Sequence, residues 1–120
     1  DDFISKISNS YMGINLSRGK PIKYYSSDRI VQLIGNGLLT FVDEKTQLKE
    51  ILSDKGVIYY KNINDLAKKI LYFKKNNKKL KKISSVGKKE YFKKFNSNII
   101  GKYIIDKSFN KKSFNKYYWN

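Results

Sequence analysis

The sequence has no cysteine and no histidine, one proline and only two arginines. Without cysteine or histidine there is no thiol nucleophile, His-based triad, zinc finger or disulfide framework. Absent cysteine also fits a reducing compartment. No apolar run approaches the ~18–20 residues that span a bilayer, and no charged-apolar-small signal pattern opens the chain. The first residue is Asp1 rather than Met, so the sequence is expected to be a piece of a longer polypeptide or a processed chain.

What is present is 120 residues, 40% hydrophobic and 15% aromatic, enough to pack one modest core and too apolar for global disorder. Charge is the outlier, with 26 basic against 10 acidic side chains, net +16. Residues 1–55 hold 8 basic and 7 acidic groups, whereas residues 56–120 hold 18 and 3. Of the basic residues 24 are Lys, and Asn occurs 12 times. A Lys/Asn/Ile/Tyr-rich, Pro-poor composition is what an AT-rich coding sequence produces. Sites that grip phosphate bidentately or read base edges favour Arg, so the charge is discounted as a functional signal.

Local patterns give an alternating order of elements. Residues 1–10 read as helical or irregular. Residues 11–16 alternate apolar with small or polar side chains, as a short strand does, and Ser17-Arg18-Gly19-Lys20-Pro21 breaks the strand. Ser26, Ser27 and Asp28 are successive N-cap candidates for a helix with Ile30, Val31, Leu33 and Ile34 on its apolar face. Gly35-Asn36-Gly37 ends that helix, both glycines accepting positive φ. Residues 38–42 read as a buried strand. Thr46 is expected to cap a short helix with Leu48, Ile51 and Leu52 inward, and residues 57–60 form a third strand. Asn62 caps a longer helix whose stripe is Ile63, Leu66, Ala67, Ile70 and Leu71. A second basic helix should bury Leu80, Ile83, Val86, Tyr91 and Phe95. A last one, capped by Ser97, uses Ile99, Ile100, Tyr103 and Ile104. Residues 107–120 are a basic aromatic tail, with Tyr117-Tyr118-Trp119 either an interfacial anchor or disordered.

Strands alternating with helices predict an α/β, three-layer, partial Rossmann-like domain with short parallel strands and C-terminal helices. Three strands make a thin sheet, so further strands are expected upstream of Asp1. Ligands of such sheets sit at the carboxyl ends of strands, beside helix N-termini. The corner from Leu16 to Arg29 is therefore a natural anion site, with Arg29 offering a bidentate contact. The alternative is that Ser27 or Asp28 merely caps the helix and Arg29 meets Asp28 or solvent, and pattern alone favours it. Asp43-Glu44 reads as a solvated turn rather than an acid/base pair, and the lysine pairs read as solvated helix faces.

Residues 29–40, Arg29-Ile30-Val31-Gln32-Leu33-Ile34-Gly35-Asn36-Gly37-Leu38-Leu39-Thr40, resemble the donor-site helix and following strand of group 1 type glycosyltransferases of the GT-B fold. The form there is an R-x-x-E or G-x-x-x-x-E lead, a small-residue helix, then Gly and an apolar strand. Gln47–Leu52, Gly56–Tyr60, Asn64-Asp65-Leu66 and the helix around Lys78–Phe95 with Gly87 inside continue the resemblance, which spans about Tyr11 to Ile105. Asn15-Leu16-Ser17-Arg18 resembles the N-L-S-R strand end of the spore-maturation-like subgroup.

The resemblance implies that residues 1–106 are the C-terminal portion of a nucleotide-sugar-binding domain, incomplete at its N-terminus. It implies a donor site with Ser27, Asp28 and Arg29 at the pyrophosphate and Gln32 at the ribose. Gln32 stands where Glu is usual, and a second Glu would fall on Tyr24, so the two-Glu motif is absent. The implied activity is hexosyltransferase-like transfer from a nucleotide-sugar to a glycan or lipid-linked acceptor of cell-surface polysaccharide, with no cofactor or metal and catalytic residues unassigned. The fragment alone is expected to be inactive, and its location cytoplasmic, with the inner face of the membrane as an anionic partner surface. The alternative function is a non-catalytic basic module binding nucleic acid or an anionic membrane. Nucleic acid is disfavoured by the scarcity of Arg and the absence of a recognition motif. A receiver-like domain is poorer still, because no strand end presents the expected acidic cluster plus a buried phosphoacceptor Asp.

Overall fold

Leu39, Phe41 and Val42 are wholly buried in the middle strand of a three-stranded parallel sheet. The computed structural model describes residues 2–110 and 117–119. Helix α1 (Asp2–Ser8) leads into β1 (Met12–Asn15), then α2 (Asp28–Gly35) and β2 (Leu39–Asp43). Two 3₁₀ turns (Glu44–Thr46 and Leu48–Glu50) precede β3 (Ile58–Tyr60), followed by α3 (Ile63–Lys75), α4 (Asn77–Phe95) and α5 (Ser97–Ser108). The sheet order is β1-β2-β3, with Met12 beside Leu39, Asn15 beside Val42 and Asp43 beside Tyr60. This is the expected α/β, partial Rossmann-like architecture.

Alternation along β2 feeds two cores, one on each face of the sheet. Val42 packs with Ile30 and Ile34 of α2, with Leu48, Leu52 and Val57, and with Tyr91 and Phe95 of α4. Leu39 and Phe41 face the other way, onto Tyr60, Leu66, Phe73 and Leu80. Phe41 and Phe73 meet edge-on at 6.3 Å between ring centroids. Helix α4 serves both cores, its first turns on one face and its last turns on the other.

Two close approaches set this arrangement. A Cβ at Gly13 would stand 2.4 Å from Leu33 Cδ2, so the bare backbone of β1 lets α2 lie against the strand. A Cβ at Gly87 would stand 2.2 Å from the Gly56 carbonyl oxygen, so α4 crosses the turn before β3 backbone on backbone.

Several expectations shift. Helix α3 buries Leu66 and Phe73 with Ile70 partly covered, whereas Ile63 and Leu71 are 72% and 59% exposed. Its stripe is thus rotated toward Phe73, which pairs with Phe41. Val31 and Val86 are exposed, and Ser84 and Gly87 take the buried positions on α4. Only Gly37, at φ +80°, uses positive φ after α2, while Gly35 stays helical. The helix expected after Thr46 is two 3₁₀ turns. Asp43 caps the first by accepting from the Lys45 amide at 2.9 Å, and buried Thr46 donates to the Asp43 carbonyl at 2.7 Å. Asn96, not Ser97, caps α5, and neither Ile100 nor Ile104 is buried. Asn62 does cap α3, accepting from the Asp65 amide at 2.9 Å.

Residues 117–119 fold back rather than standing free. Tyr117 is buried and donates to Asp106 Oδ2 at 2.6 Å, and Trp119 stacks on Phe95 at 5.4 Å. Residues 111–116 and 120 of the expected tail lie outside the described residues.

A polar clasp holds α4 to the turn before β3. Glu90 accepts from the Ser53 amide at 3.1 Å, the Ser53 hydroxyl at 2.7 Å and Lys94 Nζ at 2.7 Å, while Lys94 also donates to the Ile51 carbonyl at 2.6 Å. Burial raises the Glu90 carboxyl, but the Lys94 and Ser53 hydrogen bonds outweigh it and hold the group below its ordinary value. A depressed carboxyl stabilises the fold above the unfolded-state value and loses that contribution as pH falls through the folded-state value. Glu90→Gln is therefore expected to cost about 1–2 kcal/mol at neutral pH. Urea unfolding across an acid series should show the difference from the parent chain shrinking below the usual carboxylate range.

Candidate functional site

The carboxyl end of β1 and the amino end of α2 form a corner, and the loop of residues 16–27 walls it. Gly19 (φ +72°) and Tyr24 (φ +59°) turn the loop, positions where glycine is at ease and tyrosine is held by its contacts. The Tyr24 amide donates to the Thr46 carbonyl at 2.7 Å, and the Tyr24 hydroxyl meets the Glu50 carboxylate. These contacts tie the loop to the turns after β2.

Ser27 is the N-cap residue of α2, in extended conformation, but its side chain caps nothing. Its Oγ instead donates to Asn15 Oδ1 at 3.1 Å. The amides of Asp28 and Arg29 meet no partner among the described residues. They point out of the helix end with the positive pole of its dipole, a ready anion seat. Arg29 spans the corner, Nη1 donating to the Leu16 carbonyl at 3.2 Å, rather than pairing with Asp28. Ser27 thus occupies the N-cap position without capping through its side chain, and Arg29, which is exposed, turns to the Leu16 carbonyl rather than to Asp28.

Ser27, Asp28, Arg29 and Gln32 line one open cleft of about 370 Å³, with Arg18 and Tyr25. Asp28 and Gln32 are one helical turn apart, which puts them on one side of α2. Arg18 was not singled out as a site residue. Its signal was composition: it is one of two arginines in a chain of 24 lysines, and both line this cleft. Asn15, 2% exposed at the strand end beneath Ser27, had only its place in the N-L-S-R string to mark it.

The second corner differs. The Asp43 carboxylate is engaged as the cap of its 3₁₀ turn, in keeping with a turn rather than an acid/base pair. Burial, with Asp43 alongside, pushes the Tyr60 phenol up, so it is neutral at physiological pH. Burial, then Glu90 and Asp54, does the same to Tyr59, whose hydroxyl donates to the Leu52 carbonyl at 2.8 Å. Both are structural groups. No helix among the described residues is long and apolar enough to cross a membrane.

A family model described as glycosyl transferase-like matches residues 1–106. Neither a curated protein nor a solved structure gives a significant match to the chain.

Proposed function

The chain belongs to the glycosyl transferase-like family, and on that premise we propose that the α2 corner holds the diphosphate of a nucleotide-activated sugar. The observation that carries the reading is the convergence of Ser27, Asp28, Arg29 and Gln32 on one cleft at a strand end, beside unpartnered helix amides. The Asp28 and Arg29 amides, the Ser27 hydroxyl and the Arg29 guanidinium take the phosphates, and Gln32 takes the ribose hydroxyls. Arg18 adds a second cation, and the two arginines offset the Asp28 carboxylate.

In the reaction, an acceptor oxygen forms a bond to the anomeric carbon as the bond from that carbon to the phosphate oxygen breaks. The diphosphate leaves, its charge stabilised by α2 and the cations without calling on a metal. The acceptor is a glycan or a lipid-linked precursor of cell-surface polysaccharide. The subgroup is the spore-maturation-like one, and residues 1–106 are the C-terminal portion of the donor domain, followed by the tail. Acceptor site and catalytic base lie in the rest of the polypeptide, so this portion alone does not turn over.

Titration of the full chain with a panel of nucleoside diphosphates and their sugars tests the reading; one of them is expected to bind, and no binding by any of them would overturn it. In the same assay Gln32→Glu should tighten the preferred donor by about threefold to tenfold, because a carboxylate accepts from a diol with charge assistance. Pyrophosphate affinity should not follow it.

A second feature supports a peripheral placement on an anionic membrane surface. Lys55, Lys78, Lys79 and Lys82 line a groove of about 820 Å³ together with Asp54, Asn76, Ile83 and Val86, four cations to one carboxylate beside apolar side chains, which suits anionic headgroups over acyl chains. Phosphatidylglycerol vesicles should sediment the full chain, and Lys78→Glu with Lys82→Glu should release it, while Lys102→Glu with Lys107→Glu should not. Retention on random oligonucleotides with a steep salt slope, in place of vesicles, would favour the nucleic-acid alternative.

A further inference from the structure

Apart from the donor cleft, Tyr24, Glu50, Ile51, Tyr118 and Trp119 line a second pocket of about 400 Å³, the size of a small-molecule site. The two cavities share one wall. Tyr25 lines the donor cleft and its neighbour Tyr24 the second pocket, so one peptide link of the 16–27 loop divides them. Glu50 comes from the second 3₁₀ turn after β2, and Tyr118 and Trp119 from the folded-back end of the chain.

The walls are aromatic and held in place. Trp119 lies nearly parallel to Phe95 and Tyr117, at 5.4 and 5.6 Å between centroids, and meets Tyr103 edge-on at 5.4 Å. Tyr24 and Tyr118 keep open rings, 43% and 48% exposed. One carboxylate joins them. Glu50 accepts from the Tyr24 hydroxyl through Oε2, while Oε1 has no partner, and no cation pairs with the group, among the described residues.

This lining selects a neutral ligand rich in hydroxyls. The face of an aromatic ring is negative and the C–H groups of a sugar ring are weakly positive, so the two stack. A sugar hydroxyl can donate to Glu50 with charge assistance. A cation is the other usual guest of such aromatic walls, but here the protein supplies its own. Lys23 Nζ stands 4.7 Å from the centre of the Tyr24 ring, and Lys94 Nζ 5.8 Å from that of Tyr118. Two ammonium groups outweigh the single carboxylate and turn a cationic ligand away.

We propose that this pocket is an anchoring subsite for the acceptor glycan, holding a sugar unit other than the one that reacts. The proposal rests on the glycan-acceptor reading above and not on which groups hold the donor. The reacting hydroxyl is presented by the rest of the polypeptide. A unit stacked here tethers the glycan beside the donor cleft and raises the effective concentration of its reacting end.

The test uses the full chain and five oligosaccharides: cellopentaose, maltopentaose, chitopentaose, laminaripentaose and galactopentaose. Trp119 is the only tryptophan of the sequence, so its emission, isolated by subtracting that of Trp119→Phe, reports on the pocket. At least one oligosaccharide should shift that emission. Tyr118→Ala should then weaken the oligosaccharide by about threefold to tenfold, and Glu50→Gln by about threefold or more. Tyr72→Ala is the control, an exposed tyrosine under Lys79 on α3 and outside the pocket, and should change nothing.

No response to any of the five would overturn the proposal, as would a response that Tyr118→Ala and Glu50→Gln leave intact. Tetramethylammonium in place of the sugars, displaced by Tyr118→Ala, would make the pocket a cation cage and overturn it as well. Nucleoside diphosphate binding reads the donor cleft separately: Tyr118→Ala should leave it unchanged. Its absence from the parent chain would strike the donor reading while the anchoring subsite stands.

Discussion

Gly87→Ala is expected to unfold the domain at a markedly lower temperature, although alanine is the better helix former. Two effects oppose each other at this position. In a helix interior alanine gains about 1 kcal/mol over glycine. Against this, the added Cβ would sit 2.2 Å from the Gly56 carbonyl oxygen and 3.1 Å from the Gly56 carbonyl carbon. The obstacle is backbone, so no flexible side chain can swing away. Relief requires α4 to lift from the turn before β3, which loosens Tyr91 and Phe95 on one core and Leu80 on the other. Overpacking alone costs about 1–3 kcal/mol, and loss of contact in two cores adds to it. A net cost of about 3 kcal/mol corresponds to a fall in melting temperature on the order of 10 °C or more for a domain of this size. Gly101→Ala is the control: it is also helical, its Cβ would meet nothing within 4 Å, and it should raise stability by up to about 1 kcal/mol. Calorimetric melting of both variants checks the pair. A stabilised Gly87→Ala would mean that the crossing is looser than described.

Arg29→Ala in the full chain is expected to raise the donor KM by about tenfold or more, from the loss of a charge-assisted contact worth about 1.5–3 kcal/mol. The side chain is exposed and its one hydrogen bond among the described residues goes to the Leu16 carbonyl, so the fold should survive and circular dichroism should be unchanged. Arg29→Lys keeps the charge but loses the planar fork, and its affinity should fall between the two. Because the contact is ionic, the ratio of parent to variant affinity should shrink as salt is raised. If the donor binds Arg29→Ala as tightly as the parent at low salt, the phosphate role of Arg29 is gone. Steady-state kinetics at saturating acceptor separate binding from chemistry: a loss confined to KM assigns Arg29 to holding the donor. An equal loss in kcat and kcat/KM assigns it to the charge that develops as the diphosphate leaves.

The order of elements was readable in the sequence because its signals are local. Asn62 and Asp65 announce the start of α3 within four residues, and Asn36-Gly37 ends α2 by backbone geometry that few other residues share. The run from Leu38 to Val42 is too apolar for anything but a central strand. The candidate site was readable in part for the same reason: a strand end followed by Ser27, Asp28 and Arg29 needs only neighbouring residues to be recognised.

Other features depended on partners distant in sequence. Periodicity alone allows α3 to turn either Leu71 or Phe73 inward, since both border the Leu66 stripe. The edge contact with Phe41 decides it, and Phe41 lies more than thirty positions away. The meeting of Gly56 with Gly87, the folding of Trp119 onto Phe95 and the arrival of Arg18 in the cleft with Arg29 leave no mark in spacing either.

Local patterning thus set the α/β class, the order of elements, the neutral first half and basic second half, and the strand-end corner from which Ser27, Asp28 and Arg29 follow. These follow from turn chemistry, short periods and residue counts. Packing settled which helix faces are buried, that neither Ser27 nor Asp28 caps α2 through its side chain, and that Asn15 lies buried beneath Ser27 and accepts from its hydroxyl. Those outcomes turn on which surfaces meet across the sheet, and a pattern read along the chain holds no record of that meeting.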